Sequence, residues 1–278
     1  MLRKQLPVQY ADASTAEDIE NSGAAMGSST QTLILLNFAA NILLGSSQQY
    51  LWEMVNAQQI VVLLPLFNVI IPMSCMLVFD KLMAIASFEA LPTDMIYGWF
   101  SEVEGEPKND QFEKVGFEHH LLLNNFGTLG FIIACLPMLY LIYAILSYCH
   151  GIKRIKRVHN RLSRSLFWGF PFRMLIESYI LCLICVFLNL ERLEFASEDK
   201  WVQANSYTAV FLATVYILFP IGAICFMYTN FRELEENHVK KKMGTLYQGY
   251  NTKTRTMLIW WGAEFARKVL LATCVVFF

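Results

Sequence analysis

The chain has 278 residues, a formal net charge of −1, 55% hydrophobic residues and 16% charged residues. Soluble domains contain about 45–50% apolar and about 25% charged residues, so this composition argues against a soluble enzyme and a disordered chain. Near-neutral charge also gives no general attraction to nucleic acid. The composition favours an all-α, polytopic bundle of transmembrane helices.

The first third of the chain combines a polar segment with interrupted apolar stretches. Residues 1–30 are polar, lack the apolar core of a signal peptide and are predicted to be disordered. Residues 31–278 are predicted to form one multi-pass helical domain. Its first helices are expected near 31–46, 50–71 and 73–90, where the first and third are short for membrane spans, so that one of them is re-entrant or packed inside the protein.

The second half contains longer apolar runs. Spans are predicted at 123–148, 166–190 and 205–229, and a last apolar segment runs from about 257 to Phe278. Together these runs predict about six apolar helices plus a truncated final span. Residues 269–278 would form only about 15 Å of helix, against a hydrocarbon core of about 30 Å. We therefore expect the chain to be a fragment of a longer protein.

Charge predicts which loops face the cytoplasm. The segment 150–165 contains six Lys or Arg residues and no acid, and 230–256 is also rich in bases. The loops 91–120 and 191–204 are acidic. Because basic loops stay cytoplasmic, the first two segments are predicted inside and the acidic loops outside.

The basic segment 150–165 is predicted to be an amphipathic helix on the anionic inner leaflet, because Ile155, Val158 and Leu162 recur at helical spacing. A tryptophan pair before the last apolar segment suits a membrane interface. The predicted interfacial or lipid-facing residues are Lys153, Arg154, Lys156, Arg157, Arg161, Arg164, Trp260 and Trp261.

Several polar side chains fall inside apolar runs. Arg173 and Glu177 are four residues apart, so they share a helix face that should look into the bundle. Their pairing is either structural or part of a permeation or gating path. The other polar candidates, which either join helices or line a wet cavity, are Asn37, Asn41, Glu53, Asn56, Gln59, Glu264, Arg267 and Lys268.

No catalytic constellation is visible in the sequence. The chain lacks a P-loop, an HExxH motif, a GxSxG motif and a dinucleotide fingerprint. Its seven cysteines lie in or beside apolar runs and are predicted to be free thiols. The neighbouring His119 and His120 lack the spacing of metal ligands. We expect neither an enzyme nor a cofactor or metal site.

Three stretches resemble one family. They are LNFAANILLGSSQQYLWEMVNAQQIVVLLPLFNVIIP, GFEHHLLLNNFGTLGF and MGTLYQGYNTKTRTMLIWWGAEFARKVLLATCVVFF. They are similar to the membrane region of large ciliate surface proteins that carry cysteine-rich, growth-factor-receptor-like repeats. The last stretch also resembles the fungal transient-receptor-potential-like family, whose G-x-L-Y turn and paired bases correspond to Gly244, Leu246, Tyr247, Arg267 and Lys268. The resemblance implies a channel-like bundle related to polycystin-type channels.

Two functions follow as expectations from that resemblance. The first is the partial membrane domain of a transient-receptor-potential-like cation channel or transporter, with pore helices beyond Phe278. The second is a surface receptor or adhesion protein whose bundle anchors an extracellular cysteine-rich region. Either would be an integral protein of the plasma membrane. Its expected partners are the bilayer, anionic inner-leaflet lipids and further copies of the chain, but no nucleic acid.

Overall fold

The computed structural model describes residues 21, 57, 59–67, 107–115, 117, 119–148 and 153–277. The described residues are helical and contain no strand. The α-helices are α1 (Asp110–Lys114), α2 (Gly127–Tyr148), α3 (Lys153–Arg164), α4 (Phe170–Glu177), α5 (Tyr179–Leu190), α6 (Lys200–Thr229), α7 (Asn237–Met243) and α8 (Thr256–Phe277). Short 3-10 turns cover Leu64–Leu66, Asn124–Phe126 and Gly244–Tyr247, and a π-helical turn covers Ser165–Gly169.

The central helix is α5, which packs between α6 and α8. Its sequence, YILCLICVFLNL, is apolar around nearly the whole helix, and most of its side chains are buried. A helix that is apolar on every face is one that other helices surround. The contacts with α6 and α8 therefore define the core, and α8 carries the charged residues of the candidate site along one side of it.

The acidic loops lie at one end of the bundle, and the basic segments lie at the other end. At the acidic end, Lys108 lies 2.6 Å from Glu191, and the Trp201 indole donates to Asn124 at 2.9 Å. The first contact joins the two acidic loops, and the second joins the loop 191–204 to the turn Asn124–Phe126. At the basic end, the Lys242 ammonium lies 5.7 Å from the ring centroid of Trp168, next to the basic helix α3. The side of a membrane on which each end lies stays a prediction.

The predicted number of spans exceeds what the described residues support. Among the residues that the structure describes, α6 alone is long and apolar enough to cross a membrane, and a second span results if the pair Leu166–Glu177 and Tyr179–Leu190 counts as one. That pair is bent by 62°, so the predicted span 166–190 is not one straight helix and forms either a broken span or a re-entrant pair. The apolar part of α2, Cys135–Tyr148, is shorter than a span.

Two causes account for most of the difference between the predicted number of spans and the number found. One is the charged residues within α8, and the other is that several predicted helices lie outside the described residues. The helix α8 has 22 residues, but its apolar surface is interrupted by Glu264, Arg267 and Lys268. The predicted helices near 31–46 and 73–90 lie outside the described residues, as does most of 50–71. For the described residues an all-helical architecture is confirmed, whereas a six-span bundle is not supported.

The boundaries of α6 and α8 have local causes. Asp199 begins α6, because its carboxylate accepts a hydrogen bond from the backbone N–H of Trp201 at 2.7 Å. An aspartate in this position satisfies an N–H group that the helix itself cannot, so α6 begins five residues before the apolar run that predicted it. The last helix, α8, begins at Thr256, close to the predicted start near 257.

Candidate functional site

The site forms at a break between α4 and α5. Pro171 lies in the first turn of α4, where a missing N–H is tolerated. The bend instead falls at Ser178, whose hydroxyl donates to the Met174 carbonyl at 2.6 Å and lies 3.0 Å from the Tyr216 hydroxyl. The break therefore has polar partners of its own and turns the end of α4 towards α8.

Arg173 and Glu177 form an ion pair on the buried face of α4. The guanidinium Nη1 lies 2.9 Å from the carboxylate Oε1, and the two residues are only 5% and 3% exposed. Arg173 also donates through Nη2 to the Gln248 side chain. Within the described part of the chain, its Nε is buried and has no hydrogen-bond acceptor. The face of α4 that carries Arg173 and Glu177 therefore points into the bundle, as the sequence predicted.

The opposite wall of the site comes from α8. Lys268 is 3% exposed, and its ammonium lies 3.5 Å from the Ile176 carbonyl oxygen and 4.0 Å from the Glu264 carboxylate. Arg267 pairs with Glu264 at 2.9 Å from a more exposed position. A cation beside the last carbonyl groups of α4 is favourable, because the carboxyl end of a helix carries partial negative charge. Lys268 thereby links α8 to the break.

A turn between α7 and α8 closes the basic side. The Tyr247 hydroxyl donates to the Leu234 carbonyl and the Trp261 indole donates to the Leu246 carbonyl, both at 2.7 Å. Burial raises the pKa of the Tyr247 hydroxyl, so that it stays a neutral donor. Gly249 adopts a φ of 92°, which favours glycine, and the chain turns there immediately after Gln248.

These elements border a partly open cavity of about 400 Å³. Ligand pockets commonly measure about 300–1,000 Å³, so this cavity is large enough for a small molecule or a head group. Charged and polar groups line one part of it, and aliphatic and aromatic groups line the rest. The lining residues are Ala57, Ile60, Arg173, Ile176, Glu177, Thr245, Leu246, Gln248, Tyr250, Trp261, Glu264, Phe265, Arg267 and Lys268.

The structure brings half of the predicted polar candidates together. Arg173, Glu177, Glu264, Arg267 and Lys268 all line the cavity. Gln59 is 1% exposed, and its side-chain amide has no hydrogen-bond partner among the described residues. The remaining candidates lie outside the described residues: Asn37, Asn41, Glu53 and Asn56.

One interfacial prediction is wrong. Trp261 is 1% exposed, because its indole N–H reaches the Leu246 carbonyl and its ring packs 4.2 Å from that of Phe265. Its neighbour Trp260 is 70% exposed, so its role at an interface stays a prediction. A one-residue step rotates a helical side chain by about 100°, which places adjacent tryptophans on different faces.

The basic helix exists where it was predicted, as α3. Lys156 and Arg157 are exposed, whereas Leu162 is buried. The side chains of four predicted membrane-facing bases lie outside the described set: Lys153, Arg154, Arg161 and Arg164. Contact of this helix with anionic lipid stays a prediction.

The sequence reasoning missed the polar residues that the turn before α8 contributes. Thr245, Gln248 and Tyr250 line the cavity. They were missed because they belong to the segment 230–256, which is rich in bases and was predicted to be a cytoplasmic loop. The only local signal for these residues in the sequence was the pair of glycines, Gly244 and Gly249, that flank a predicted turn. Within the described residues, no group of three or more His, Cys, Asp or Glu could hold a metal ion.

No protein-family model, curated protein or solved structure matches this chain. The resemblance to ciliate surface proteins and to transient-receptor-potential-like channels therefore depends on the three quoted stretches.

Proposed function

We propose that the protein is the membrane domain, or part of it, of a multi-pass, transient-receptor-potential-like cation channel or transporter. In this proposal the described helices form a peripheral domain beside the pore. The observation that carries it is a cluster of buried charges at a helix break, surrounded by apolar helices. The competing proposal is a bundle that only anchors a surface receptor.

The outer surface of α6 supports membrane insertion. This helix has 30 residues, and many of its large apolar side chains are exposed. A continuous surface of this kind in water would favour aggregation, whereas lipid tails would cover it at little cost. The exposed side chains are Tyr207, Val210, Phe211, Ile217, Leu218, Ile221 and Tyr228.

The charge cluster supports a role beyond anchoring. Ionisable side chains within a membrane bundle are expensive, so they usually mark a pathway or a switching element. Broken helices likewise occur where a membrane protein binds ions or moves. A bundle that served only as an anchor would need neither the bend at Ser178 nor the charges of α4 and α8.

The topology is tested by labelling single cysteines introduced at two exposed positions. Lys156→Cys lies on the basic helix α3 and Glu194→Cys lies in the acidic loop 191–204. We expect a membrane-impermeant maleimide to label Glu194→Cys in intact cells and to label Lys156→Cys only after permeabilisation. Labelling of the parent chain gives the background. The opposite pattern would reverse the proposed orientation.

The channel assignment is tested by current recordings from cells that express the full-length protein. We expect a cation current that the double variant Arg173→Gln/Glu177→Gln alters in its gating, because the buried pair joins α4 to the turn at Gln248. Surface biotinylation controls for the amount of protein. Absence of current from parent protein at the cell surface would favour the anchor instead.

A further inference from the structure

The first residue of α5 supplies a hydrogen bond that a proline removes from α6. Pro220 lies inside α6, where it has no N–H to donate to the Tyr216 carbonyl four residues earlier. The Tyr179 hydroxyl donates to that carbonyl at 2.8 Å. Tyr179 is 0% and Tyr216 is 4% exposed, so this bond lies inside the bundle. The hydroxyl of α5 therefore takes the place of a backbone donor of α6.

A second hydroxyl bond joins the break between α4 and α5 to the same residue of α6. The Ser178 and Tyr216 hydroxyls lie 3.0 Å apart, and Ser178 donates its own proton to the Met174 carbonyl at 2.6 Å. Tyr216 is therefore the donor in the contact between the two hydroxyls. The Tyr179 ring also packs edge-on against Phe265, with the ring centroids 4.7 Å apart. Helices α5, α6 and α8 thus meet at the break.

The bend gives up hydrogen bonds of the main chain. Within the described residues, the N–H groups of Tyr179 and Ile180 do not donate to the carbonyls one turn earlier, which belong to Leu175 and Ile176. A straight helix over residues 166–190 would form both bonds. Straightening would exchange the two hydroxyl bonds for two main-chain bonds, so neither state has a large excess of hydrogen bonds. Two packings that are balanced in this way exchange when one bond is removed.

We propose that Ser178, Tyr179 and Tyr216 form a latch, which holds the break bent and whose release lets α4 and α5 join into one straight helix. The latch consists of the two hydroxyl bonds to α6. It depends on Pro220, which leaves the Tyr216 carbonyl free for Tyr179. This device goes beyond the proposed function, because it is a change of shape that can be measured whether or not the protein carries a current.

The distance between two spin labels across the break tests the latch. Phe167→Cys and Arg192→Cys place the labels at exposed positions on either side of the break, in a chain whose other reactive cysteines are replaced by serine. A straight helix between these positions is about 37 Å long, and a bend of 62° brings its ends closer by about 5 Å. Double electron–electron resonance in nanodiscs should give predominantly the shorter distance for the parent.

Tyr179→Phe removes the hydroxyl of the latch and keeps the ring. We expect the share of the longer distance to rise about fivefold over the parent, because the loss of one buried hydrogen bond shifts an equilibrium by about that factor. Tyr207→Phe is the matched control, since it removes the same hydroxyl from a position of α6 that is 61% exposed. It should leave the distances as in the parent. An unchanged share of the longer distance in Tyr179→Phe would overturn the latch.

A double-mutant cycle with Pro220→Ala tests the origin of the latch. Alanine supplies the N–H that proline lacks, so the Tyr216 carbonyl gains a donor from its own helix. Tyr179→Phe should therefore lower the melting temperature by about 2–4 °C in the parent and by less in the Pro220→Ala background. Equal losses in the two backgrounds would mean that the Tyr179 hydroxyl does not replace the missing N–H, which contradicts the proposal.

A bond that only joins the helices predicts a different combination of results. The melting temperature of Tyr179→Phe would then fall while the distance between the labels stayed short, and this outcome contradicts the latch. If Tyr179→Phe does not fold, Tyr216→Phe decides the question, because it removes the hydroxyl bond to Ser178 and keeps the carbonyl. It should also raise the share of the longer distance, and an unchanged share would overturn the proposal.

Discussion

Replacing Glu177 with glutamine is expected to destabilise the protein by about 3–5 kcal/mol, because the change leaves the Arg173 charge buried without its partner carboxylate. The thermal melting temperature of the purified chain in detergent measures the effect, together with the yield of folded protein. Glu194→Gln is the matched control, since Glu194 is exposed in the acidic loop. That control should melt like the parent.

The double variant Arg173→Gln/Glu177→Gln should recover part of the loss. It removes both buried charges at once, and two amides can still hydrogen-bond across the same turn of α4. Its melting temperature should lie between those of Glu177→Gln and the parent. Parent-like stability of Glu177→Gln would mean that the carboxylate is not needed to balance Arg173, and the argument from buried charge would fail.

The charge spacing predicted one wall of the site. Arg173 and Glu177 are four residues apart, and this interval alone places them on one face of a helix. Lipid is a poor solvent for either charge, so the inward direction of that face also followed from the sequence. The same reasoning marked Glu264, Arg267 and Lys268 as polar residues of the last apolar segment.

The meeting of the two walls could not be predicted in this way. Arg173 and Gln248 are separated by 75 residues, and Lys268 and the Ile176 carbonyl by 92. Such contacts depend on how α4, the turn at Gly249 and α8 pack, and no local spacing encodes that packing. The cavity therefore appears only when the tertiary structure is known.

The bend at Ser178 also escaped the sequence reasoning, because the residue that usually bends a helix lies elsewhere. Pro171 is in the first turn of α4, where proline is compatible with a straight helix. At Ser178 the hydroxyl donates to a carbonyl one turn earlier, and the neighbouring Tyr179 hydroxyl donates to the Tyr216 carbonyl at 2.8 Å. Serine bonds of this kind bend helices, but most serines that make them do not break one.

Trp261→Ala is expected to destabilise the protein by about 3–5 kcal/mol, the usual cost of removing a large buried aromatic side chain. The substitution also leaves the Leu246 carbonyl without the indole N–H that it accepts at 2.7 Å. The turn before α8 would then lose a fixed point next to Gln248. Thermal melting in detergent measures the loss of stability, and limited proteolysis between residues 244 and 255 reports the loosening of the turn.

The adjacent Trp260→Ala is the matched control, because it removes the same side chain from a site that is 70% exposed. Its melting temperature should stay near that of the parent, since exposed substitutions usually change stability by less than about 0.5 kcal/mol. Composition and hydropathy treat the two tryptophans alike, whereas the rotation of α8 buries one and exposes the other. Equal losses for both variants would show that α8 does not have the orientation on which the cavity depends.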